Sequence, residues 1–123
     1  RILWKKISIL MTGDIEKKGE ERVMLNVSES QILKVAHHGS NSGTSREFLQ
    51  KVKPELSVIS VGRKNPYGHP SAYVLERLNI FSDTVYRTDY CGAITVISDG
   101  NKYKVITVKK LKDRSDYNEI HRN

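Results

Sequence analysis

Three short apolar segments in this chain each end in a polar loop whose residues can bind a metal or transfer a proton. The segments are residues 7–11, 32–36 and 56–61. Their length and their content of β-branched residues are typical of buried strands. In α/β proteins the loop that follows a strand faces a ligand crevice. The sequence therefore predicts a sheet that delivers functional side chains at the ends of several strands.

Helical segments separate these strands. The predicted helices cover residues 16–26, 45–53 and 71–79. Thr44 or Ser45 is predicted to cap the second helix and Ser71 the third, and Pro54 ends the second. A strand–helix–strand unit of this length implies a parallel pair with a right-handed crossover. Parallel strands end at the same edge, so the loops after residues 11 and 36 are predicted to lie side by side.

The last third of the chain reads as strands without helices between them. Strands are predicted at residues 84–87, 92–98 and 103–108, with a hairpin turn at Asp99-Gly100-Asn101. The element order predicts an α/β fold with a mixed β-sheet, flanking helices and a final antiparallel meander. Residues 1–108 form the predicted domain, and residues 109–123 are polar and predicted to be a flexible tail.

Composition limits the possible partners. With 21 Lys and Arg against 14 Asp and Glu, the chain carries a net charge of +7. This charge favours a polyanion such as nucleic acid, but its dispersal in pairs is more typical of a solvated surface. Cys91 is the single cysteine in the sequence and excludes both an internal disulfide and a cysteine-cluster zinc site.

No apolar run reaches the ~20 residues that span a bilayer, and no signal-peptide pattern occurs. We therefore predict a soluble domain. The chain begins with Arg1, which favours a piece of a longer product, although a tag or processing would explain it too.

The loop residues have both functional and structural interpretations. Asp14 follows Gly13 and either bridges metal ions or caps the next helix. His37 and His38 are adjacent; on an extended backbone they would point to opposite faces, so one is expected to bind metal while its neighbour supports it or contacts substrate. A structural histidine pair is the alternative.

His69 belongs to a Tyr-Gly-His-Pro loop and either donates a proton or binds the backbone of its own loop. Thr88 and Asp89 are expected to form a turn, with the site edge as the alternative. A hydrolytic metal site needs three or four protein ligands per metal. The chain offers one well-placed Asp and two or three His, so any metal site here is predicted to be half of one.

Five motifs occur in an order typical of a known family. They are Leu10-Met11-Thr12-Gly13-Asp14-Ile15-Glu16, Leu33-Lys34-Val35-Ala36-His37-His38-Gly39-Ser40, Val58-Ile59-Ser60-Val61-Gly62, Tyr67-Gly68-His69-Pro70, and residues 85–96. Together they resemble the C-terminal half of the metallo-β-lactamase-fold hydrolase domain of ComEC-type DNA-uptake competence proteins and their stand-alone relatives. The resemblance covers residues 7–108.

This resemblance implies an αββα sandwich with a binuclear zinc or manganese site at one edge. By motif, Asp14 matches the bridging aspartate and the His37-His38 pair matches the last histidine-ligand motif. His38 is the favoured ligand and His37 the favoured catalytic neighbour. His69 would contact substrate or donate a proton. The family's first-half signature, a His-x-Asp/His-x-Asp-His run, is absent from this sequence.

The family acts in DNA uptake, so the resemblance implies a nuclease-like phosphodiesterase whose parent protein is attached to the bacterial membrane. Arg63, Lys64 and Ser40 are the candidates for binding the phosphodiester backbone, with a merely solvated Arg63-Lys64 pair as the alternative. The implied partners are DNA, the missing N-terminal half and the membrane-spanning part. A homodimer is a further possibility, since it would cover the sheet face left by the missing half. The alternatives are a stand-alone hydrolase of another phosphodiester and a non-catalytic DNA-binding or structural fragment.

Overall fold

Five strands form one mixed sheet in the computed structural model, which describes residues 1–109. The strands are β1 (Ile2–Trp4), β2 (Ile7–Met11), β3 (Ile32–Lys34), β4 (Leu56–Ile59) and β5 (Thr84–Arg87). They lie side by side in chain order; β2 to β5 are parallel, and β1 is antiparallel to β2. The predicted α/β class is confirmed, and the parallel strands bring the three polar loops to one edge.

Helices α1 (Lys17–Val23), α2 (Arg46–Val52) and α3 (Ala72–Phe81) connect the parallel strands, and a 3-10 turn at Ala36–Gly39 precedes α2. A fourth helix, α4 (Thr88–Cys91), follows β5. The predicted serine caps are confirmed. The Phe48 amide donates to Ser45 Oγ at 3.2 Å and the Val74 amide to Ser71 Oγ at 3.3 Å. Each cap satisfies an amide that the first helical turn leaves without a partner.

The main core lies between the helices and one face of the sheet. It joins strand residues such as Leu33, Ile59 and Val85 to helix residues such as Phe48 and Leu78. Because successive strand residues point to opposite faces, the neighbouring positions form a second, smaller core on the other face. That core contains the buried residues Ile7, Ile32 and Leu56.

A hairpin covers the second core. Its strands, β6 (Ile94–Ser98) and β7 (Tyr103–Thr107), pair antiparallel with each other around the predicted turn. The prediction that they continue the sheet as a meander is wrong, since within residues 1–109 they form a separate two-stranded sheet. The reason is α4, which redirects the chain directly after β5 and ends at Gly92, whose φ is 71°.

The predicted tail, residues 109–123, lies outside the described residues apart from Lys109. None of the helices within residues 1–109 is long and apolar enough to cross a lipid bilayer.

Candidate functional site

The loops after β2 and β3 are joined directly to each other. The His37 amide donates to the Gly13 carbonyl at 3.0 Å, and Thr12 Oγ1 donates to the Lys34 carbonyl at 2.6 Å. Asp14 therefore lies beside the start of the histidine turn, with an exposed side chain. Its alternative role as a helix cap is excluded, because α1 begins after Glu16 and has no side-chain cap.

Lys34 lies at the end of β3 and interacts electrostatically with Asp14. Burial lowers the pKa of its ammonium group, and the negative charge of Asp14 partly offsets that effect. Lys34 Nζ also donates to the Val35 carbonyl at 2.8 Å. The Asp14 carboxylate is therefore close enough to the end of β3 to act electrostatically on Lys34.

His37 and His38 have left the extended conformation of the strand. Both lie in the left-handed region, with φ values of 46° and 55°. Such values are uncommon outside glycine, and they occur disproportionately where function constrains the chain. The opposite orientation expected on an extended backbone therefore does not apply, and the ring centroids lie 6.4 Å apart.

The tautomer of His38 is fixed by its surroundings. Its Nδ1 lies 2.6 Å from the carbonyl oxygen of Ser60, at the end of β4. Because a carbonyl only accepts, Nδ1 carries the proton and donates it, which leaves the lone pair of the neutral ring on Nε2. His38 is exposed, so its free Nε2 is suited to binding a metal.

His37 has a different environment. Its Nδ1 is buried and has no hydrogen-bond partner among the described residues. The closest acid is Glu16, whose Oε1 lies 3.7 Å from Nδ1, beyond hydrogen-bond distance. A buried ring nitrogen without a partner costs free energy, so His37 is held at the edge at some expense to stability.

The loop between β4 and α3 brings His69 to the same edge. Its ring centroid lies 6.0 Å from that of His37, and Tyr67 stacks on it at 5.9 Å with an interplanar angle of 22°. The His69-Pro70 peptide bond is cis. The Ser71 amide donates to the Gly39 carbonyl at 2.9 Å, which ties this loop to the histidine turn.

Asn65 holds the His69 loop in shape. Its Nδ2 donates to the carbonyls of Gly62 and His69, at 3.0 and 2.8 Å, and its Oδ1 accepts from the His69 amide at 2.9 Å. Sequence reasoning did not single out Asn65. The available signal was an asparagine inside a loop rich in Gly and Pro, where Asn commonly bonds nearby backbone.

The three candidates for phosphate binding lie on the two loops that carry the histidines. Ser40 lies directly after the histidine turn, where its amide donates to the His37 carbonyl at 2.9 Å and its hydroxyl lies 3.0 Å from Ser42 Oγ. Arg63 and Lys64 are exposed on the His69 loop. The Arg63 Nε donates to the Asp89 carbonyl at 3.1 Å, so this side chain is anchored toward α4.

Thr88 and Asp89 begin α4 rather than forming the expected turn, and both make structural contacts. Thr88 Oγ1 accepts from the Val61 amide at 2.7 Å and donates to the Val61 carbonyl at 2.8 Å. Asp89 accepts two hydrogen bonds from the guanidinium of Arg87, at 3.1 and 2.7 Å, and both side chains are buried. The Thr88 contacts hold Val61 in place, directly after the Ser60 carbonyl that orients His38.

A complete metal site is not formed by residues 1–109, where no group of three or more His, Cys, Asp and Glu side chains is placed to hold an ion. The donors that are present still fit part of one. His38 offers an exposed nitrogen of fixed tautomer and Asp14 an exposed carboxylate, both acceptable to Zn²⁺ or Mn²⁺.

Similar proteins come from several organisms. The chain is 40% identical over 126 residues to ComE operon protein 3 of Bacillus subtilis (strain 168), covering 98% of this chain. It is 38% identical over 91 residues to Recombination protein 2 of Haemophilus influenzae, covering 74%. It is 38% identical over 97 residues to Competence protein ComA of Neisseria gonorrhoeae, covering 76%. These relatives indicate a competence-associated family.

The competence-associated relatives are much longer than this chain. The matched regions span 16%, 12% and 14% of their respective lengths. No protein-family model matches the chain, and no solved structure does.

Proposed function

We propose that this chain forms the C-terminal part of a metal-dependent phosphodiester hydrolase domain, nuclease-like, in a competence-associated protein that handles DNA during uptake. In this proposal the described residues are half of a metallo-β-lactamase αββα sandwich. The other half belongs to a longer protein attached to the bacterial membrane.

The observation that carries the proposal is the convergence of three imidazoles on one edge of the sheet. His37, His38 and His69 come from two loops that follow neighbouring parallel strands. His37 lies between the other two, with centroid distances of 6.4 and 6.0 Å. A domain with only a structural role has no need to place three titratable side chains together, or to hold the backbone of two of them in a strained conformation.

We assign Asp14 and His38 as the residues that would hold Zn²⁺ or Mn²⁺. When bound, such an ion supplies an activated water and neutralises charge on a phosphodiester. The remaining ligands would come from the other half of the domain, because the described residues hold no complete set.

The other edge residues have roles that follow from their positions. His37 and His69 are the candidates for proton transfer, since both rings are half-buried at the same edge. Ser40, Arg63 and Lys64 would bind phosphate oxygens beside them. The net charge of +7 supports a polyanionic substrate.

The outer face of the hairpin supports a further layer. Ile97, Ile106 and Val108 are exposed there, with 45%, 48% and 74% of their surface accessible. Apolar side chains grouped on one face are typical of a surface that another layer covers. The missing half of the domain is the proposed cover, and a second copy of the chain is the alternative.

DNA hydrolysis by a longer protein that contains this chain tests the proposal. The variant Asp14→Asn should lose at least about a hundredfold in rate, because the amide is a poor metal ligand. Asp83→Asn is the matched control, since Asp83 is an exposed aspartate before β5, at the opposite edge. Full activity of Asp14→Asn would sink the assignment of this edge as the active site.

A further inference from the structure

A polar cleft separate from the candidate site lies between α2, α3 and the loop that follows the histidine turn. Its volume is about 240 Å³, and it is lined by Asn41, Arg46, Tyr73, Glu76 and Arg77. Two arginines and one aromatic ring in a single open cleft are the chemistry that binds a phosphate beside a planar base.

Arg77 is incompletely satisfied. Its Nη2 donates to Asn41 Oδ1 at 2.8 Å and lies 3.4 Å from the Gly43 carbonyl. Its Nε is buried without a hydrogen-bond partner among the described residues, and none of their carboxylates lies within ion-pair distance of this side chain. A guanidinium stays charged at any ordinary pH, so an anion is the partner that this group lacks.

Arg46 supplies a second cation to the same cleft. Its Nη2 lies 3.8 Å from Glu76 Oε1, and the two side chains are 51% and 66% exposed. An ion pair this long and this exposed contributes little stability, so exchanging Glu76 for another anion costs little. The Arg46 guanidinium also lies 5.9 Å from the centroid of the Phe81 ring. The negative charge of Glu76 opposes anion binding, so removing that charge by substitution should strengthen binding at this cleft.

The cleft adjoins the candidate active site along the chain. Asn41 follows Ser40 and lies three residues beyond His38, a span of at most about 11 Å. Tyr67, stacked on His69, is 78% exposed, and Tyr73 in the cleft is 67% exposed. Exposed rings alternating with cations are typical of surfaces that bind single strands, whose unpaired bases can stack.

We propose that this cleft is a second nucleic-acid subsite, which binds a phosphate through Arg46 and Arg77 and stacks the adjoining base of a single strand on Tyr73. The identity of the polymer rests on the proposed function. The subsite would hold the strand a few nucleotides from the histidine edge and so position it for reaction.

The test is binding of a fluorescently labelled oligothymidylate to the 123-residue chain, measured by anisotropy in EDTA at several salt concentrations. Arg77→Gln and Arg46→Gln should each lower the slope of log affinity against log salt, by at most about 0.7, the value for one phosphate contact on a single strand. Arg22→Gln, in the exposed last turn of α1, is the control and should leave the slope unchanged.

Three further variants separate stacking and charge. Tyr73→Leu should weaken binding about tenfold, whereas Tyr73→Phe, which keeps the ring, should bind as the parent does. Glu76→Gln should strengthen binding, because it removes the negative charge beside Arg46. Thermal unfolding of each variant shows whether the fold is retained, and Arg46→Gln disturbs no loop hydrogen bond.

Equal salt slopes for Arg46→Gln, Arg77→Gln and Arg22→Gln would overturn the subsite, as would unchanged affinity for Glu76→Gln. Loss of binding confined to variants that unfold would overturn it as well. The assay uses no metal, so its failure is distinct from failure of the hydrolase proposal, which the activity of the longer protein decides.

Discussion

The imidazole rings of His37 and His69 lie 6.0 Å apart, centroid to centroid, although one follows β3 and the other belongs to the loop after β4. The two loops are held together by the hydrogen bond between the Ser71 amide and the Gly39 carbonyl and by close packing of Gly39 against Pro70. The candidate site therefore depends on backbone contacts as much as on the histidines themselves.

Gly39→Ala should be strongly destabilising. Gly39 has a φ of +85°, and an added Cβ would lie 2.5 Å from the Cβ of Pro70. We expect a loss of about 2–4 kcal/mol in the free energy of unfolding, since both strain and overlap contribute. Urea denaturation measures it. Gly62→Ala is the control, because a Cβ there meets nothing within 4 Å; equal stability of the two variants would contradict the packing described.

Asn65→Ala should displace His69. The substitution removes the side chain that makes three hydrogen bonds to the loop backbone, and we expect a loss of about 1–3 kcal/mol. The NMR signals of the His69 ring should shift because the loop no longer holds it near His37. Asn101→Ala, exposed in the hairpin turn, serves as the control loop substitution. A His69 ring signal that stays at its parent position would show that Asn65 does not set the geometry.

Glu20 is a buried carboxylate that holds the loop after the histidine turn. It accepts hydrogen bonds from the amides of Thr44 and Ser45, and only 1% of the residue is exposed. Glu20→Gln turns one acceptor into a donor facing an amide, so we expect about 1–3 kcal/mol of destabilisation. Glu21→Gln, exposed on the same helix, should cost almost nothing in a parallel urea titration. Matching midpoints for the two variants would argue against this role.

Tyr103 should make stability fall at high pH. Burial, followed by the negative charge of Glu55, raises the pKa of the Tyr103 phenol to about 12. Because the unfolded chain releases this proton near pH 10, the stabilisation is complete below about pH 10 and is lost as the pH rises toward 12. Subtracting the ultraviolet titration curve of Tyr103→Phe from that of the parent isolates the titration of the Tyr103 phenol. A midpoint near pH 10 for this difference would contradict the burial described.

The strands and helices were predictable because their signals are local. Apolar segments of strand length, the caps Ser45 and Ser71, and the stop at Pro54 all lie within a few residues of the elements that they define. The parallel pairing of β2 with β3 followed from the connecting helix. The separate hairpin was not predictable. It depends on the helix α4 at Thr88–Cys91, and this short segment did not show a helical pattern in the sequence.

The sequence was sufficient to predict which loops come together at the candidate site. Asp14 and the histidine pair were expected at one edge on topology alone, and the structure joins them through the Gly13 carbonyl. The orientation of the rings was not predictable. It depends on the left-handed backbone of His37 and His38 and on the carbonyl of Ser60, which come from tertiary contacts between loops.

The most direct test of the central claim is a titration of this chain with Mn²⁺, followed by paramagnetic broadening of its amide NMR signals. Broadening detects even a weak site, so it suits a chain that holds part of the ligand set. We predict that the signals of Asp14, His37, His38 and His69 broaden first, that His38→Ala abolishes this pattern, and that His121→Ala, outside the described residues, does not. Early broadening elsewhere, or a pattern that survives His38→Ala, would contradict a metal site at this edge.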